Sequence, residues 1–197
     1  YYYMVIQSFL PWERVDKTII PTGLTLKSYS YLLGKGGSGN PFMWVRALLN
    51  SFIVSFPTAL LSLAVGLLTG YASAKMEYKG KGLIQTTLIF QMFFPVIVLL
   101  VPRYMIVKSL ANTFSGMILP LCISIWGIFM YINYFKTVPN AVFEAARIDG
   151  ASELKTICFI ALPATKSISI IVFLSVFMTR WCELMWDMLI SPGVDHQ

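Results

Sequence analysis

Charged residues divide the chain into long apolar stretches separated by short polar ones, and counting between charges locates the elements. Residues 47–74, 82–102 and 109–135 are uncharged, and each is long enough for one helix across a hydrocarbon layer, which takes about 20 mostly apolar residues. A fourth stretch, 167–190, is apolar in its first half but carries Arg180, Glu183 and Asp187 in its second. Those charges call for protein or water around them rather than lipid tails. Residues 1–12 are apolar but too short to span, and no basic segment precedes them as a signal peptide requires. They read as the end of a truncated first transmembrane helix, and both termini are expected to be incomplete.

The pattern therefore predicts an all-α, polytopic transmembrane helix bundle. Pro57, Pro95 and Pro120 fall inside the apolar stretches, where neighbouring helices can satisfy the freed carbonyls, and they predict kinks. In 47–74, small residues recur every three or four positions at Ser51, Ser55, Ala59, Ser62, Gly66, Gly70 and Ala74. Such a stripe lets a second backbone approach closely.

The polar interruption 136–166 is too regular for a loose loop. Pro139 suits a first helical turn; Asn140, Glu144 and Arg147 fall on one face, and Val138, Ala141, Val142, Ala145 and Ala146 on the other. Gly150 stops this helix and Ser152 can cap the next, in which Leu154, Ile157, Cys158 and Ala161 recur as an apolar stripe. Pro163 and Lys166 mark the return to the bundle. The expectation is a pair of short amphipathic helices outside the bilayer, with Ala145 and Ala146 as a smooth contact surface and Glu144 and Arg147 as directional polar contacts. A hairpin that merely covers its own bundle fits the same pattern.

Composition agrees with a membrane chain. Of 197 residues 57% are hydrophobic and 12% charged, with mean hydropathy +0.71, against about 25% charged in a soluble domain. The three cysteines, Cys122, Cys158 and Cys182, are too scattered for a disulfide scaffold. The net charge of +6 is spread over every polar segment without a basic run, which argues against a nucleic-acid partner. The glycine-rich run 34–39 resembles a phosphate-binding loop in spacing, but Asn40 and Pro41 stand where Lys and Ser or Thr are needed, so it reads as flexible loop. The only histidine is His196, and no metal or nucleophile grouping occurs, so no catalytic site is expected. Polar and aromatic groups inside the apolar stretches, Gln91, Ser124, Trp126, Asn133 and Trp181, are the candidates for a solute pathway. Arg180, Glu183 and Asp187 fall at i, i+3 and i+7 on one face and can pair or face a water-filled cavity.

Glu144-Ala145-Ala146, three residues, Gly150, nine residues, then Ile160, one residue, Leu162 and Pro163 resembles the EAA signature of binding-protein-dependent ABC importer permeases. The string from Glu144 through Arg147, Asp149 and Gly150 to Ser152 is similar to the carbohydrate branch, in particular the second permease subunit of maltose-type importers. Asn50-Ser51, Gly70-Tyr71-Ala72, Asn112-Thr113, Leu119-Pro120, Trp181 and Trp186 agree with it. Where that branch commonly has Trp-Asn, this chain has Trp181-Cys182.

The resemblance implies a type I permease of the cytoplasmic (inner) membrane of a prokaryote. Such a chain pairs with a second permease subunit, docks two ATPase subunits, and takes solute, here of carbohydrate type, from an extracytoplasmic binding protein. ATP and magnesium would sit on the ATPases, and this chain would bind no cofactor. Glu144, Ala145, Ala146, Arg147, Asp149 and Gly150 would form the ATPase contact, with Ile160, Leu162 and Pro163 fixing its exit. The implied division is extracytoplasmic connection 13–43, three spans in 44–136, cytoplasmic coupling helices 137–165, a span 166–190 and an extracytoplasmic tail 191–197. A permease for an amino acid, polyol or phosphate, or a channel or assembly protein not coupled to ATP, remain the alternatives from the residues alone.

Overall fold

The computed structural model describes residues 1–17, 23–34 and 42–192. The glycine-rich run beyond Gly34, His196 and all of the tail after residue 192 lie outside the described residues. Among those described, every regular element is helical. The chain divides into two units, 1–50 and 51–197.

The first unit contains α1 (Tyr2–Ser8) and α2 (Lys27–Leu33). Ser8 and Tyr29 share a hydroxyl hydrogen bond of 2.7 Å, the Phe9 and Tyr29 rings lie 5.2 Å apart, and the Thr25 N–H donates to the Phe9 carbonyl. The long helix α3 (Met43–Lys75) begins here and continues into the second unit.

Within the second unit the small-residue stripe of α3 is buried at Ser55, Ala59, Ser62, Gly66 and Gly70. The stripe receives Tyr131. A Cβ on Gly66 would stand 3.1 Å from the Tyr131 ring, and one on Gly70 would overlap the Tyr131 Cβ, so glycine sets the helix spacing. The helix continues through Pro57; the Thr58 hydroxyl donates to the Val54 carbonyl at 2.7 Å, and Ser62 donates to the carbonyl of Cys122 at 2.7 Å.

The other apolar stretches do not fold as straight rods. Residues 82–102, expected as one span, form α4 (Lys81–Gln91) and, after a 3-10 turn at Val96–Leu99, α5 (Leu100–Val107), bent by 104°. Pro95 lies at the break, where it offers no N–H and pushes Phe94 out of helical conformation. Residues 109–135 likewise divide into α6 (Phe114–Ile118) with a 3-10 turn containing Pro120, and α7 (Ile125–Thr137), bent by 41°.

The short helix α8 (Asn140–Ile148) and then α9 (Glu153–Thr156), a π-helical turn (Ile157–Ala161) and α10 (Leu162–Ala164) form the hairpin. Helix α11 (Lys166–Trp181) follows at 80°. The fourth stretch is not one helix: α11 ends at Trp181, and α12 (Met185–Ile190) starts after a break. One continuous helix would hold Arg180 and Asp187 about 10 Å apart along its axis. The break folds the carboxylate back onto the guanidinium. By length and apolarity α3 alone suffices to cross a membrane, and up to four crossings result if each bent pair counts as one.

The core lies where α3, α7 and α11 meet the hairpin. Tyr71, Tyr131, Phe135, Phe143, Ala161, Ile168 and Val172 are buried together there.

Candidate functional site

Two places carry the candidate chemistry, at opposite ends of α11, which separates Lys166 from Arg180 by about 21 Å at 1.5 Å per residue. The first is the hairpin. Gly150 has φ +76°, the left-handed conformation that ends a helix, and the Ala151 N–H closes the cap on the Ala146 carbonyl at 3.0 Å. Ser152 then caps α9 by accepting the Lys155 N–H. Pro139 occupies the position just before α8 rather than its first turn.

The inward face of α8 differs from the expected one. Ala141, Val142 and Ala145 are exposed, and only Phe143 and Ala146 are buried. Phe143, which the binary pattern missed, is the anchor: its ring lies 5.6 Å from that of Tyr71, 6.5 Å from that of Phe135, and 5.2 Å from the Lys75 ammonium. The spacing of 143 and 146, three apart, was the available signal. Glu144, Ala145, Arg147, Asp149 and Gly150 are exposed, as is Ile148 at 86%.

The stripe expected on the second helix is also displaced. Leu154, Cys158 and Phe159 are exposed, whereas Thr156 and Ala161 are buried and Ile157 and Ile160 half-buried. A π turn inserts an extra residue per turn, which rotates everything beyond it relative to an α-helical count. Leu162 and Pro163 are exposed at the exit, and Tyr134 donates its hydroxyl to the Ala164 carbonyl.

Polar contacts tie the hairpin to α3. The Lys75 ammonium donates to the Val138 carbonyl at 2.6 Å and to Asn140 Oδ1 at 2.7 Å. Tyr71 donates its hydroxyl to Glu153 Oε2 at 2.8 Å, and Arg147 donates to Glu153 Oε1 at 3.1 Å. Arg147 therefore braces α8 against α9 from a partly exposed position.

The second place is a cleft of about 580 Å³ that opens at the Pro95 and Pro120 breaks. It gathers Gln91, Ser124 and Trp126 from the sequence candidates, together with Arg180 and Glu183. Asn133 and Trp181 are not part of it: Asn133 is exposed and donates to the Phe129 carbonyl on its own helix, and Trp181 packs on Phe177 with ring centroids 5.5 Å apart. Thr58, Arg103, Ser175 and Thr179 line the cleft without having been singled out by the sequence. Their convergence depends on the chain breaks, which a residue count does not contain.

The three charges at this end do not share one helix face. Arg180, only 4% exposed, donates Nη1 to Asp187 Oδ2 at 2.9 Å and Nη2 to Asp187 Oδ1, with Nη2 also reaching the Met117 carbonyl at 3.4 Å. Glu183 instead starts α12, accepting the Trp186 N–H at 3.2 Å. Trp186 is buried, and its indole N–H donates to the Gly116 carbonyl at 3.1 Å.

Comparison with known proteins adds to this geometry. The family model described as the binding-protein-dependent transport system inner membrane component matches residues 62–190. The sn-glycerol-3-phosphate transport system permease protein UgpE of Escherichia coli (strain K12) is 29% identical over 180 residues, covering 90% of this chain and 64% of that protein. UgpE of Shigella dysenteriae serotype 1 shows the same identity and coverage. The chain thus spans 64% of the length of these curated relatives. Among solved structures, a bacterial ABC transporter involved in the import of the acidic polysaccharide alginate superposes with a TM-score of 0.84 at 20% identity, covering 97% of this chain and 67% of that one. At that identity the likeness establishes the fold.

Proposed function

Because the chain belongs to the family of inner-membrane components of binding-protein-dependent transport systems, we propose that it is the permease subunit of an ABC importer for a carbohydrate-type solute in a prokaryote. It pairs with a second permease subunit and with two ATPase subunits on the cytoplasmic side, where ATP and magnesium are bound. An extracytoplasmic binding protein delivers the solute. The chain itself moves solute and makes or breaks no covalent bond.

The observation that carries this reading is the hairpin at residues 139–164. Its inner side is fastened to the bundle by Phe143, Lys75 and the Tyr71–Glu153 hydrogen bond. Its outer side leaves Glu144, Ala145 and Ile148 exposed. An apolar residue as exposed as Ile148, beside a small residue and a carboxylate, is suited to a groove on a partner. ATP binding closes the ATPases and displaces α8. Phe143 and Glu153 pass that displacement to α3 and α7, and rigid-body rocking of the helices changes which side the cleft faces.

Solute-stimulated ATPase activity of reconstituted complexes tests the reading with Gly150→Pro. Proline fixes φ near −65° and is incompatible with the +76° found at Gly150, so stimulation should be lost. Full stimulation in that variant overturns the proposal.

A further inference from the structure

The charged groups of the cleft are unequally committed. Asp187 takes both terminal nitrogens of Arg180, and Glu183 accepts a backbone N–H of α12. Arg103 lines the same cleft, and among the described residues no carboxylate pairs with it. Its guanidinium lies over the Trp186 ring, 5.7 Å from the centroid. A guanidinium stacked by its face keeps its N–H edge for an acceptor in the plane, the geometry that suits carboxylate and phosphate.

Ser124, Ile125 and Trp126 form part of the cleft lining and begin α7, a helix of 13 residues. Ser124 Oγ accepts the Gly127 N–H at 3.1 Å, which leaves the Ile125 and Trp126 N–H groups with no partner inside the helix. That end of the helix carries partial positive charge and favours an anion. An independent observation points the same way. Arg180, 4% exposed and part of the cleft lining, has its Nε–H without an acceptor among the described residues. The cleft therefore holds a surplus of donors over acceptors, and its volume of about 580 Å³ lies within the usual range for small-molecule sites.

We propose that this cleft selects an acidic carbohydrate, holding its carboxylate or phosphate between Arg103 and the first turn of α7 while Trp126 offers a ring face to the sugar. The inference rests on the importer reading given above. A neutral sugar in the same place would desolvate Arg103 without supplying a matching charge, and the site would discriminate against it.

The test is a titration of the chain in detergent, alone and in its transporter complex, at constant ionic strength. The probes are glucuronate, glucose 6-phosphate, glucose and inorganic phosphate, read as the fluorescence difference between the wild type and Trp126→Phe. Glucuronate or glucose 6-phosphate should bind roughly tenfold tighter than glucose, the scale of one charge-assisted hydrogen bond, and the tighter of the two identifies carboxylate or phosphate. Arg103→Gln should abolish the preference and Arg103→Lys should keep part of it. Glucose binding as tightly as the acids, an unchanged preference in Arg103→Gln, or no saturable signal from any probe overturns the inference. Inorganic phosphate matching both sugar acids overturns its carbohydrate half. Failure of the chain to assemble with ATPase subunits, or of the ATPase to respond to a loaded binding protein, defeats the importer reading instead, whatever the titration shows.

Discussion

The Tyr71 hydroxyl, near the end of α3, donates to Glu153 Oε2 at 2.8 Å across 82 residues of sequence. The other carboxylate oxygen of Glu153 accepts from Arg147 of α8, so one acidic side chain joins both arms of the hairpin to the longest helix. Tyr71→Phe keeps the ring contacts with Phe135 and Phe143 and removes only this bond. The expected loss of stability is about 0.5–1.5 kcal/mol, measured by thermal unfolding in detergent. Faster hydrogen exchange should be confined to α8 and α9.

The Arg180–Asp187 pair predicts a larger effect. Asp187→Asn leaves a guanidinium that is 4% exposed without its counter-charge, which should cost about 3–5 kcal/mol in the same melting experiment. The double change Arg180→Met with Asp187→Leu should recover most of that loss, because it removes both charges together. Glu183→Gln retains an acceptor for the Trp186 N–H and should stay within about 0.5 kcal/mol of wild type.

Helix spacing at Gly70 is fixed by steric contact. Gly70→Ala places a Cβ into the Tyr131 Cβ and within 3.2–3.3 Å of the backbone at Tyr131 and Ile132. Overpacking of this kind should cost about 1–3 kcal/mol and lower the yield of folded protein. Gly82→Ala is the control: nothing lies within 4 Å of the added carbon, and the change should be neutral or stabilising by less than about 1 kcal/mol.

Ile148 separates folding from assembly. It is 86% exposed, so Ile148→Asp should change the stability of the chain by no more than about 0.5 kcal/mol. Co-purification of ATPase subunits should fall by roughly tenfold or more, as expected when a charge enters an apolar contact. Equal recovery of ATPase with both proteins would remove this residue from the docking face.

What the sequence by itself determined is what short-range chemistry encodes. The spacing of charges gives the apolar stretches, the small-residue stripe marks the buried side of α3, Pro95 and Pro120 mark breaks, and Gly150 and Ser152 mark a stop and a start. Each of these depends on a residue and its near neighbours. The tertiary structure decided the rest, because it depends on what lies across the fold. A π turn shifted the register after Thr156, Phe143 rather than the alanine face became the anchor of α8, and the break at 182–184 brought Asp187 to Arg180. Gln91, Ser124 and Trp126 converge with Arg103 only because two chain breaks turn their helices toward one cleft, whereas Asn133, equally polar in sequence, lies beyond it on the same helix. Break angles are set by packing against distant residues, so no local pattern contains them.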